Sequence, residues 1–233
     1  TSGVIFAPMK NMRTDPKGRV HTFCHAVPGM WTMMSCTLAA GLSVQWFRNQ
    51  FCQTEDFYSW MNRQMEHVPP GANGVVFLPY LMGERSPLLN ERVRGGFLGL
   101  SAGSSRADFM RAVIEGVSYS QRQCLDILRE QNIVPKGMLL CGGGMQNDTW
   151  RQILAALYEM PVTRIQGGGE SGVLGAAILA GVGADVYRDV SEGCTAAVHI
   201  MEPELPRQDY IEAYRELYPR YCQASTVIAD GIK

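Results

Sequence analysis

Behind three turn-forming residues the chain opens with the apolar run VIFAP, and this pattern predicts a strand. The polar stretch KNMRTDPKGR then reads as a turn by its Asp-Pro and Lys-Gly pairs, and VHTFCHAVPGMWTMMSC alternates enough to supply two further strands. A three-stranded meander over about the first 36 residues is expected. The period then lengthens. In LAAGLSVQWFRNQF, Leu42 and Trp46 stand four apart, with Val44, Phe47 and Phe51 on a neighbouring stripe, which is helical spacing. Gly41 and Gln45, also four apart, share a face of that helix. EDFYSWMNRQMEHV predicts a second helix ending before Pro69-Pro70, and GVVFLPYL a buried strand running into a loop.

The loop MGERSPLLNERVRGGFLGLSAGSS is long and rich in Gly, Arg and Ser, a composition that often marks a working surface in a compact domain. Ser105 and Asp108 form a capping box for a helix reaching about Gln131, with Phe109, Met110, Val113, Ile114, Val117, Cys124 and Leu128 recurring along it. At ~1.5 Å per residue it is roughly 39 Å long. MLLCGGG then reads as a strand into a glycine turn, followed by a helix from about Asp148 to Tyr158 capped by Asn147 or Asp148. PVTRI is another strand, a second glycine cluster follows, and SGVLGAAILAGVGA makes a helix of small residues. Strand, turn and helix, repeated, is an α/β pattern. In the tail, Tyr210, Tyr214, Leu217 and Tyr221 share a helical face over Gln208 to Tyr221, and Pro219 is expected to disturb the last turn. One domain, 1–233, is the simplest organisation.

Composition narrows the function. With 46% hydrophobic and 18% charged residues the chain is ordinary for a globular protein, and a net charge of −1 offers no footprint for nucleic acid or an anionic membrane. No apolar run approaches the ~20 residues of a membrane span. The partner expected is therefore a small molecule. Seven cysteines without CxxC spacing suit reduced core residues of a cytoplasmic protein. A start at TSGVIF, without Met, suggests a piece of a longer polypeptide.

Glycine at a strand-to-helix junction permits positive φ and lets backbone amides approach a ligand that a Cβ would exclude. A helix N-terminus adds free N–H groups and partial positive charge, which suits phosphate or a nucleotide sugar. CGGGMQN from Cys141 has that form, yet it is neither G-x-G-x-x-G nor a P-loop, and a plain tight turn would look the same. His21 and His25 lie on one face of a presumed strand with no metal-spaced partner, which favours a structural or surface role. Glu84-Arg85 reads as a loop ion pair, and Glu115 as a polar or capping contact within the long helix.

Taken together and in order, TSG, AAGLSVQWF, FLPYLMGERSP, RGGFLGLSAGSSRADFMRAVIEGVSYSQRQCLD, CGGGMQNDTWRQILA and GGGESGVLGAAILAG resemble the carboxy-terminal domain of the FGGY carbohydrate kinases, most of all the xylulose kinases among them. The likeness runs from Thr1 to about Gly183. It implies a ribonuclease-H-like domain of the actin, hexokinase and Hsp70 type, with a mixed sheet flanked by helices, in which two such domains close over ATP and a sugar. By motif matching, Thr1, Ser2 and Gly3 would form the turn beside the terminal phosphates. Gly41 and Gln45 would approach the nucleotide from the first helix. Gly143, Gly144 and Asn147 fall on the adenosine motif, where bare backbone lies against base and ribose while the Asn side chain hydrogen-bonds. The second glycine triplet, Gly167 to Gly169, is read as a turn into a closely packed helix.

The family's reaction is in-line transfer of the γ-phosphoryl group of MgATP to a sugar hydroxyl, with a carboxylate accepting the hydroxyl proton. In the family that carboxylate and the main sugar contacts belong to an amino-terminal domain which these residues do not include. The resemblance thus implies ATP and Mg²⁺ as cofactors, no catalytic base and no metal ligand here, and a sugar site only with the other domain. D-xylulose is the expected acceptor; glycerol, ribulose, rhamnulose and gluconate are the alternatives. A non-catalytic actin-like nucleotide-binding module stays open on fold alone, with FLPYLMGERSP arguing for the kinases. The face near Thr1 to Gly3 and the loop Met82 to Leu100 is expected to be exposed and partly apolar, open to self-association as a homodimer.

Overall fold

The computed structural model describes residues 2–54, 56–167, 169 and 171–231. Its strands are β1 (Gly3–Met9), β2 (His21–Cys24), β3 (Trp31–Thr37), β4 (Val76–Leu78), β5 (Gly96–Leu98), β6 (Met138–Leu140) and β7 (Val162–Arg164). The helices are α1 (Gly41–Phe51), α2 (Phe57–His67), α3 (Arg106–Glu130), α4 (Asp148–Tyr158), α5 (Ser171–Gly183), α6 (Val190–Ala197) and α7 (Gln208–Gly231).

Three strands open the chain as expected, but not as a meander, because β3 lies in the centre of the order β1-β3-β2. Length decides this: β1 and β3 pair antiparallel over seven residues, from Gly3 opposite Thr37 to Met9 opposite Trp31, whereas β2 offers four, three of them exposed. Alternation sets the faces, so Ile5, Met9 and Met33 enter the core while Val4, Phe6 and Phe23 face outward. β4 and β5 pair antiparallel and β6 and β7 parallel, so the strands form three small sheets.

Helix α3 is the axis of the packing. Its capping box is formed in both directions: the Asp108 N–H donates to Ser105 Oγ at 3.3 Å, and the Ser105 N–H to Asp108 Oδ2 at 2.7 Å. Gly116 lets β4 cross close by, since a Cβ there would lie 2.1 Å from the Phe77 carbonyl oxygen. Trp46 of α1, Phe77, Phe97 and Phe109 pack ring against ring in succession, from stacked at Trp46–Phe77 to edge-on at Phe97–Phe109, joining α1 to the β4–β5 pair and to α3.

Glu115 does more than a capping contact would. It forms a fully buried ion pair with Arg111 at 2.7 Å, receives the Gly71 N–H at 3.1 Å and the Tyr214 hydroxyl at 2.8 Å, and so ties α3 to α7. Helix α7 also runs through Pro219 to Gly231 instead of failing near Tyr221. Packing outweighs the one backbone donor that proline removes. Beyond it Tyr221 and Ser225 are buried, and the Tyr80 hydroxyl bonds Ser225 Oγ at 2.6 Å.

Candidate functional site

The glycine junction between β6 and α4 separates into three cases. Gly142 has φ +93°, a conformation that side chains rarely adopt. A Cβ on Gly144 would stand 2.7 Å from the Trp150 ring, so packing requires that glycine. Gly143 is exposed and a Cβ there would meet nothing, so neither its conformation nor its neighbours explain it. Gly143 is thus the one glycine of the junction that neither its φ nor its neighbours require.

The surroundings are built to hold the junction still. Trp150 is buried behind Gly144 and its indole N–H donates to Ser118 Oγ of α3 at 3.0 Å. Arg151 donates to the Met145 carbonyl at 2.6 Å and pairs with Asp148 and Glu204. Asn147 caps α4, its Oδ1 accepting the Trp150 N–H at 2.6 Å. The Asn147 side chain is buried, and its Nδ2 donates to Asn62 Oδ1 on α2.

Of the residues matched to the phosphate end, Thr1 lies outside the described residues and Ser2 is exposed at the start of β1. Gly3 is buried, and a Cβ there would lie 2.9 Å from Ala40 Cβ and 2.1 Å from Gln121 Nε2, so the head of β1 sits against the beginning of α1 and against α3. Helix α1 starts at Gly41 without a side-chain cap, and Gln45, one turn on, is exposed. Gln121 and Ser118 stand one turn apart on α3, the first beside Gly3 and the second holding Trp150 behind Gly144. A single turn of α3 thus backs both clusters. The surface is an open face: a recess of about 190 Å³ between α3, α4 and α7, lined by Arg122, Tyr214 and Tyr218, touches none of these residues.

Glu84 was hidden from sequence reasoning. It makes no ion pair with Arg85 among the described residues; its carboxylate is 2% exposed and Oε1 accepts the backbone N–H groups of Leu38 and Arg85, each at 2.8 Å. Oε2 has no partner, and burial pushes the carboxyl up to about 7. Leu38 lies in the turn between β3 and α1, so this carboxylate secures the approach to the α1 N-terminus. The motif GER displayed the residue, but two charges adjacent in sequence gave no sign that one is turned inward.

Two apolar surfaces lie exposed. Met82, Leu89, Leu98 and Leu100 in the long loop are at least 38% exposed, as are Val4 and Phe6. In α5, which carries no charged residue, only Ile178 is buried and Val173 is 67% exposed. The expected close packing of α5 is found against α6, where a Cβ on Gly193 would reach Ile178 at 2.7 Å, and against Tyr187, which a Cβ on Gly181 would meet at 2.7 Å. Gly168 of the second triplet lies outside the described residues. Among the described residues no helix is long and apolar enough to cross a membrane, and no three His, Cys, Asp or Glu side chains are grouped to hold a metal.

Residues 1–184 match the carboxy-terminal domain of the FGGY family of carbohydrate kinases. The xylulose kinase of Bacillus subtilis (strain 168) is 32% identical over 222 residues, covering 95% of this chain and 44% of that protein. A gluconokinase from Bacillus licheniformis is 31% identical, covering 98% and 46%. Among solved structures, ligand-bound xylulose kinase from Lactobacillus acidophilus superposes with a TM-score of 0.89 at 25% identity, covering 99% of this chain and 46% of that one. The chain spans about half the length of the curated relatives it matches. The fold is accordingly the ribonuclease-H-like one of actin-type and hexokinase-type ATPases, and the chain belongs to the FGGY family of carbohydrate kinases, matching its carboxy-terminal domain.

Proposed function

We propose that this chain, 1–233, is the ATP-binding part of a sugar kinase that transfers the γ-phosphoryl group to a hydroxyl of D-xylulose. The observation that carries the reading is Gly143, the one glycine of the junction with no structural reason to lack a side chain. Adenosine lying flat on Gly143 meets bare backbone, while the uncapped start of α1 and the head of β1 offer N–H groups to the phosphates. The nucleotide carries the transferable group and would bring Mg²⁺ with its phosphates. Gly41, Gln45, Ser2 and Gly3 position the phosphate end; Thr1 is assigned to the same turn by its motif.

In this reading the chain's residues bind and orient, and supply no base. The sugar contacts and the proton-accepting carboxylate come from a second domain, corresponding to the half of the relatives that this chain does not match. The apolar, uncharged α5 and the exposed loop residues Met82 and Leu100 are surfaces such a domain would cover. D-xylulose is preferred to gluconate because the xylulose kinases carry the higher identity. The cytoplasm is the compartment we assign, since all seven cysteines are free thiols.

Calorimetry with MgADP tests the binding reading directly. Wild type is expected to bind and Gly143→Asp to lose at least tenfold in affinity while melting at the same temperature; equal affinity in both would refute the placement. With an amino-terminal half supplied from a xylulose kinase relative, transfer from ATP to D-xylulose and not to gluconate is the expected activity.

A further inference from the structure

Asn147 is the residue that the motif assigns to reading the nucleoside, yet its side chain is buried and largely committed. Its Oδ1 accepts the Trp150 N–H at 2.6 Å as the cap of α4, and its Nδ2 donates to Asn62 Oδ1. One Nδ2 hydrogen and one Oδ1 lone pair remain, both on a residue that is 4% exposed. Asn62, on the middle of α2, is exposed, and its own amide Nδ2 donates to no acceptor among the described residues.

The direction of the contact fixes the chemistry. Because Asn147 must present Oδ1 to the α4 N-terminus, its Nδ2 is the atom turned to Asn62. Asn62 therefore turns Oδ1 toward Asn147 and leaves the two N–H donors of its exposed amide without a protein acceptor among the described residues, next to the N-terminus of α4. A pair of free amide donors suits a ligand edge carrying lone pairs, such as a ring nitrogen of a purine or a ribose oxygen.

We infer that Asn62, held by Asn147, is the side chain that hydrogen-bonds the nucleoside, and that Asn147 acts as the residue positioning it. This rests on the nucleotide-binding reading above and deepens it: the ligand is recognised by its acceptor edge through α2, an element outside the adenosine motif.

The test compares MgADP with magnesium tripolyphosphate, which lacks a nucleoside, on wild type, Asn62→Ala and Asn62→Asp. Asn62→Ala removes both donors, and Asn62→Asp keeps an acceptor for Asn147 while losing them. Both variants are expected to bind MgADP about tenfold more weakly, the loss of one or two neutral hydrogen bonds. Tripolyphosphate affinity and melting temperature should stay at the wild-type values. A general structural role would weaken both ligands together, and that outcome would overturn the assignment. Wild-type affinity for MgADP in Asn62→Ala would overturn it equally, while leaving the nucleotide site standing. No binding of MgADP by wild type, alone or with the amino-terminal half of a xylulose kinase relative supplied, would overturn both the site and its reader.

Discussion

Replacing Glu84 by Gln separates the cost of a buried charge from the value of its hydrogen bonds. The wild-type carboxyl is pushed up to about 7 from an ordinary 4.5 because it is buried, with two backbone N–H donors at Oε1 and nothing at Oε2. A folded-state pKa above the unfolded one means that the folded protein holds the proton more tightly. Stability is thus highest below about 4.5, falls as pH rises through the window to about 7, and stays low above it. At about 1.4 kcal/mol per pH unit of difference, the ionised form costs about 3 kcal/mol at pH 8. Gln keeps the Oε1 acceptor for Leu38 and Arg85 and carries no charge. Urea unfolding of both proteins from pH 4.5 to 8.5 should show the variant close to wild type at the acid end. At pH 8 it should be more stable by up to about 3 kcal/mol, or roughly 6 to 12 °C in melting temperature for a chain of this size. A stability difference that does not change with pH would refute the reasoning, because it would mean that Glu84 titrates alike in the folded and unfolded states.

Other perturbations probe the frame that carries the site. Arg111→Met leaves the buried Glu115 without its partner cation, and unfolding in urea should show a loss of about 3 to 5 kcal/mol. Asn147→Ala removes the α4 cap and should cost about 1 kcal/mol by the same assay, with MgADP affinity falling because Asn62 loses its anchor. Gly142→Ala, at φ +93°, should cost about 1 kcal/mol or more, whereas Gly143→Ala should be nearly neutral in stability; a reversed ranking would contradict the division of roles at the junction.

What the sequence disclosed here was whatever depends on neighbours along the chain. The capping box at Ser105 and Asp108, the helix from Asp148 to Tyr158 and its Asn147 cap are local devices, and they stand where the spacing put them. The strand order β1-β3-β2 was not legible, since it depends on which strands offer seven residues to each other across intervening chain. Pro219 misled for the same reason: its local cost is visible, but the burial of Tyr221 against Tyr80 and Ser225 is a long-range fact. The site divides along this line as well. Glycine triplets advertise a junction, but only the fold shows that Gly144 answers to Trp150 and Gly142 to its own φ, while Gly143 has no such requirement. Asn62 gave no signal at all, because an asparagine in the middle of an amphipathic helix reads as solvated surface until a second element is laid beside it. If Asn62 reads the nucleoside as proposed, a motif match recovers the scaffold of such a site more completely than its reading edge.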